Sequence, residues 1–230
     1  IMSKQLKLFK VEVKHLCYEK GWDEIKPKSP ITLIIGSFNP FIPNNNFLPD
    51  YYYGRIPNRG PGNRLWSTIG KLKYNNKDYF KNNFINKINE LEKSHFYFHD
   101  LISKVEFTCE NKIVLDDYIS KKVYKNFGDD ILWKSKTKHQ GKLIRVKRTY
   151  NTNIINFLIK NNSIKTVINT LGSVRGNFDF NNNDLEWIQF KKNLFEICSK
   201  NKINIVLKSV SPSPLGGSKE EFEDWLKKYI

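Results

Sequence analysis

Two short apolar runs that stop abruptly constrain this chain more than anything else in it. The first is Ile31-Thr-Leu-Ile-Ile-Gly-Ser-Phe-Asn-Pro40, and the second is Asn204-Ile-Val-Leu-Lys-Ser-Val-Ser-Pro-Ser-Pro-Leu-Gly-Gly217. Each begins β-branched and apolar and ends in a small, polar, turn-forming loop. Such runs are buried strands of a parallel sheet, and α/β folds present functional groups at the carboxyl ends of those strands. Phe96-Tyr-Phe-His-Asp-Leu-Ile102 and Thr166-Val-Ile-Asn-Thr-Leu-Gly172 read as further strands. Helical spacing over Tyr79–Lys93, Tyr150–Lys160 and Asp184–Ser199, a short helix over Leu65–Leu72 and a capping box at Ser218-Lys-Glu-Glu221 supply the helices. The expected fold is α/β, a central, mostly parallel β-sheet flanked by helices. Residues 3 to 26 read as helical or mixed, and Ser37 to Asn63 as a loop long enough to be functional. The segment from about 105 to 150 lacks clear periodicity and reads as a β-rich or irregular insertion into a single domain spanning 1–230.

Charge narrows the partner. The chain has 230 residues and a formal net charge of +16. The charge is concentrated: ten Lys/Arg from Lys121 to Arg148 face only Asp129 and Asp130, giving that segment +8. A polyanion, nucleic acid first, is the natural partner. The hydrophobic fraction of 39%, with 16 Phe, 11 Tyr and 5 Trp, is enough for a packed core. A chain of this size buries roughly 70% of its unfolded surface without disulfides. Cys17, Cys109 and Cys198 are isolated and odd in number, as in a reducing compartment. No run of 18 apolar residues and no secretory leader occurs, so the expected location is the cytoplasm, with no membrane. No Cys/His spacing fits a metal, and no metal or cofactor is expected.

The combination of Leu33-Ile-Ile-Gly-Ser-Phe-Asn-Pro40, Tyr51-Tyr-Tyr-Gly54, Gly62-Asn-Arg-Leu-Trp66, Val167-Ile-Asn-Thr-Leu-Gly-Ser173 and Ser211-Pro-Ser-Pro-Leu215 resembles the uracil-DNA glycosylase superfamily. The nearest branches are the hypoxanthine/uracil and mismatch-specific ones. The resemblance implies a three-layer sandwich and a monofunctional enzyme. Such an enzyme hydrolyses the N-glycosidic bond of a flipped uracil-like, deaminated or modified base. It would act on DNA as a monomer and leave an abasic site. The chemistry calls for a group that orients water below C1′, donors for the departing base, and an apolar wedge for the vacated stack.

Carried over residue by residue, the resemblance gives Asn39 or Asn63 the water. Asp100, the main spare carboxylate, activates water or reads the base, and Ser211 stands where a base-carbonyl donor is usual. Gly36, Ser37, Phe38, Pro40, Phe41, Tyr53 and Asn169 line the base pocket. DNA contacts fall to Arg55, Arg59, Arg64, Ser209, Ser213 and the wedge Leu215, and to Lys142, Arg145, Lys147 and Arg148 of the basic segment. Two departures from the family pattern stand out: an extra residue before Asn39, and Ser211 in place of His or Asn. Both suit an unusual base, such as a bulky modified pyrimidine in invading phage DNA. The competing class is a DNA-binding protein that keeps the fold without catalysis. The absence of GxxxxGK[ST] and GxGxxG argues against a small-molecule nucleotide enzyme.

Overall fold

Strand β2 (Thr32–Gly36) is buried at all five positions and lies between β3 (Phe96–Asp100) and β7 (Thr166–Asn169). With β8 (Asn204–Val206) these make a four-stranded, wholly parallel sheet of order β3-β2-β7-β8. Successive side chains alternate between two cores. Leu33, Ile35, Tyr97 and Val167 enter one hydrophobic cluster, and Ile34, Phe96, Phe98 and Ile168 enter the other. The first face is covered by α6 (Asn153–Lys160) and α7 (Leu185–Lys200), and the second by α2 (Leu65–Tyr74), α3 (Phe84–Ser94) and α8 (Lys219–Leu226). Both-sided coverage explains why these strands read as continuous apolar runs. The computed structural model describes residues 7–43, 50–54, 63–128, 130–171, 184–206, 210, 212 and 218–230. Among the described residues, no helix is long and apolar enough to cross a membrane.

The expectation of a mostly parallel architecture is corrected by a second sheet. Strands β1 (Phe9–Lys14), β4 (Ile102–Cys109), β5 (Lys136–His139) and β6 (Lys142–Tyr150) form a four-stranded antiparallel sheet of order β1-β4-β6-β5. Connection length explains the change. Only Leu101 separates β3 from β4, whereas a parallel crossover needs about a dozen residues or more. Gln140 and Gly141, both at positive φ (47° and 74°), close β5 onto β6 in a two-residue hairpin turn. The N-terminal segment, expected to be helical or mixed, is strand β1 followed by the short helix α1 (Leu16–Glu19). Phe9-Lys-Val-Glu-Val-Lys14 alternates with a period of two. Ser218 and Glu221 form the expected capping box of α8.

Arg148 faces inward on β6. It is 5% exposed, donates from Nη1 to Leu132 O (2.8 Å) and from Nη2 to Asp184 Oδ2 (3.1 Å). Asp184 also caps α7 through Glu186 N and accepts from the Tyr150 hydroxyl. The pair therefore ties the antiparallel sheet to a helix of the parallel unit, and Arg148 has no face left for a phosphate. Val13, Val105, Phe107, Ile144 and Val146, among the other inward side chains of this sheet, join the cluster that covers one face of the parallel sheet.

Phe98 anchors the other cluster. It is fully buried and its ring meets Tyr51, Tyr52, Tyr53 and Trp66 within 5.5 to 6.2 Å. Phe98→Ala is expected to destabilise the fold by roughly 3–5 kcal/mol, read as a lowered denaturant midpoint.

Candidate functional site

The carboxyl ends of β2, β3 and β7 lie side by side, and a buried carboxylate sits among them. Asp100 ends β3 and is 3% exposed. Its Oδ2 lies 2.6 Å from His15 Nε2, 85 residues away in the chain. His15 Nδ1 accepts the Cys17 N–H (3.1 Å), which assigns the ring proton to Nε2 and makes His15 the donor to Asp100. The other oxygen, Oδ1, packs on Gly36: a Cβ there would overlap it and would stand 2.7 Å from the Tyr53 hydroxyl. The Asp100 carbonyl accepts from the Tyr18 hydroxyl (3.0 Å) and from Asn151 Nδ2 (3.1 Å).

Three loops are laced to this floor. The loop after β2 is held on both sides: Leu101 N–H donates to Gly36 O (2.9 Å), Ile102 N–H to Ser37 O (3.1 Å) and Leu16 N–H to Asn39 O (2.8 Å). Pro40 is buried and bridges His15. The Phe41 N–H donates to Lys14 O (2.9 Å). In the second loop Tyr53 sits at φ 56°, a left-handed conformation that side chains rarely adopt. The Thr170 hydroxyl donates to Ile35 O (2.9 Å), so the proton in its 2.8 Å contact with Tyr53 comes from the tyrosine. Trp66 Nε1 donates to Tyr52 O (2.6 Å), fixing this turn against α2. The third loop is tied in by Arg64, whose N–H donates to Pro212 O (2.8 Å). The segments around Gly36, Tyr53, Asn63, Thr170 and Pro212 thus meet at the carboxyl end of the parallel sheet.

A cleft of about 250 Å³ opens beside them, lined by Tyr53, Gly54, Asn63, Trp66, Lys77 and Lys81 among others. Asn63 Oδ1 accepts the Leu65 N–H (2.9 Å), which fixes the amide and leaves that oxygen a second lone pair. Beneath lies Lys87, buried and bonded to Asp50. Burial pulls its ammonium below the ordinary lysine range, and Asp50 opposes that shift.

Other expected pocket residues have different places. Phe38 is 3% exposed and packs against His15 (5.3 Å) and Phe127 (5.9 Å), so its ring belongs to the core and not to a stacking platform. Asn169 is fully buried, and its Oδ1 accepts the Leu171 N–H in a local turn. Asn39 is half-buried in the β2 loop and is not among the cleft residues. Lys142 pairs with Glu110 (2.7 Å), Lys147 reaches Glu186 (3.5 Å), and Arg145 is exposed. Arg55, Arg59, Ser209, Ser211, Ser213 and Leu215 lie outside the described residues. His15, Tyr18, Asn151 and Thr170 escaped the sequence reading, because each acts through partners remote in the chain. No protein-family model, curated protein or solved structure matches this chain.

Burial silences the remaining titratable groups around the carboxylate. Burial, then Asp100, pushes the Cys17 thiol well above its ordinary range, so it is no nucleophile. Burial, with His15 and Lys26 adding to it, pulls the His99 imidazole down to about 3. The folded state therefore refuses a proton that the unfolded chain takes up near pH 6.5. Stability from this residue is complete above about pH 6.5 and falls by about 1.4 kcal/mol per unit down to about pH 3. His99→Gln is expected to flatten that part of the stability profile between pH 6 and about 3, followed by urea titration at each pH. Gly36→Ala is expected to cost roughly 1–3 kcal/mol by overpacking, whereas Gly141→Asn at the hairpin tip, where a Cβ meets nothing within 4 Å, is expected to leave the denaturant midpoint near wild type.

Proposed function

We propose that the protein is a DNA glycosylase that hydrolyses the N-glycosidic bond of a flipped base. The observation that carries this reading is the convergence of the segments on which the family resemblance rests. The end of β2 at Ile35, the end of β7 at Thr170, the Tyr51-Tyr-Tyr-Gly54 turn, the Asn63-Arg64 element with Trp66, and Pro212 are joined in turn by direct hydrogen bonds at the carboxyl end of the parallel sheet. On this reading the parallel sheet and its two helical layers are the glycosylase-like three-layer unit. The antiparallel sheet is the basic insertion, extended by β1.

The reaction breaks the bond between C1′ and the base nitrogen. The bonding pair leaves with the base, water adds to C1′, and the proton that the water loses ends on the departing base anion. Asn63 Oδ1 orients that water in the cleft. Tyr53 and Trp66 supply aromatic walls for an extruded base, whose extrusion costs a few kcal/mol. Lys77 and Lys81 place positive charge at the mouth for the flanking phosphates. On this reading Asp100, whose Oδ2 accepts the His15 N–H beside Gly36, favours the oxocarbenium character of the sugar. The protein works as a monomer, with no cofactor.

Duplexes bearing uracil, hypoxanthine or bulky modified pyrimidines are incubated with the protein and then treated with alkali. Cleavage at one of these positions is expected, and Asn63→Ala and Asp100→Asn are each expected to slow single-turnover excision roughly 10²–10⁴-fold. Absence of an abasic product from every substrate overturns the proposal.

A further inference from the structure

The antiparallel sheet has a solvent face that the site does not use. Cross-strand register puts Lys10, Thr108, Arg145 and Lys136 in one row, Glu12, Glu106 and Lys147 in the next, and Lys14, Lys104 and Thr149 in a third, with Lys138 opposite Leu143. Alternation along β6 confirms the facing: Leu143, Arg145, Lys147 and Thr149 are exposed, and Ile144, Val146, Arg148 and Tyr150 are buried. Seven cations thus share one face with two carboxylates.

The carboxylates are not spread evenly. Glu12 is paired with Lys104 (2.8 Å) and Glu106 with Lys10 (2.5 Å), both on the β1–β4 half. The β5–β6 half carries Lys136, Lys138, Arg145 and Lys147 and no carboxylate of its own. Among the described residues, no ion pair involves Lys136, Lys138 or Arg145. Arg145 stands directly opposite Lys136, a like-charge pair that destabilises a sheet unless an anion lies across it.

We propose that this half of the face is a docking platform for the phosphate backbone of duplex DNA, separate from the base-binding cleft. Residues two apart on a strand are about 6.8 Å apart. Lys136 with Lys138, and Arg145 with Lys147, therefore repeat at about twice the 3.4 Å charge spacing of one DNA strand. The outward side chains of these strands include no aromatic ring, so the face has nothing on which unpaired bases would stack. Leu143 is its one apolar side chain, too little to enter a lipid surface. The platform holds flanking duplex by charge alone and carries no base specificity. Its partner is the one the glycosylase reading requires, and it is measured on unmodified DNA without excision.

The test is fluorescence anisotropy with an unmodified duplex, the matching single strand and phosphatidylserine vesicles, over about 50–200 mM salt. The triple variant Lys136→Gln/Lys138→Gln/Arg145→Gln is compared with Lys160→Gln/Lys200→Gln/Lys228→Gln, which removes three exposed cations elsewhere. Losing three phosphate contacts is expected to lower the log–log salt slope by about 2.7 and weaken duplex binding about a hundredfold near 0.15 M salt. The control triple is expected to keep the wild-type slope. Equal losses from the two triples overturn the platform, as does preference for the single strand or for vesicles. A protein that shows the slope change yet releases no base refutes only the glycosylase. One that releases a base with an unchanged slope refutes only the platform.

Discussion

A carboxylate buried at the end of a central strand has to be satisfied by its surroundings, and much of this molecule is arranged around that demand. Asp100 is 3% exposed, and an unpaired charge in such a place costs several kcal/mol. Its cross-strand neighbour on the parallel sheet is Gly36, which has no side chain to offer. The partner is His15, at the end of β1 in the other sheet. Gly36 is the complement of that pair, because only a residue without a side chain lets the second carboxylate oxygen pack on the strand. Tyr18 and Asn151 then hold the backbone carbonyl. One acidic residue thereby recruits β1, α1, β2 and the start of α6.

The same economy of polar groups appears at Arg148 and Asp184. Each would be costly alone beneath a sheet. Together they join β6 to α7, while Asp184 also caps the helix. These two buried pairs lie at different points along the join between the sheets, and both link groups far apart in sequence. Apolar packing supplies the bulk of the stabilisation there, since one hydrophobic cluster takes side chains from both sheets. The pairs restrict how the sheets can sit on that cluster, because a shifted register would leave a charge without its partner.

Local signals in the sequence were legible and remote ones were not. The run Thr32–Gly36, the capping box of Ser218 and Glu221 and the helix over Leu185–Lys200 are written in neighbouring residues, and they appear where expected. Gly36 could be read as the end of a strand, but its reason, contact with Asp100, could not. Nothing near His15 in the sequence points to its role, because its partner is 85 residues away. A charge tally places Arg148 on the surface, since it assumes exposure; the alternation of Ile144, Val146 and Tyr150 on its strand is the signal that it points inward. Phe38 follows the strand end, where a stacking ring would be useful, yet it is buried between two aromatic neighbours, His15 and Phe127.

Leu101 carries a mechanical consequence. It is the single residue between β3 and β4, its N–H is bonded to Gly36 O and its carbonyl accepts the Asn151 N–H. A joint this short, hydrogen-bonded on both sides, has no slack to act as a hinge. Breaking the antiparallel sheet at β4 pulls directly on the last rung of the parallel one. The two sheets therefore belong to one cooperative opening unit, and amides on either side of Leu101 share a common protection against hydrogen exchange.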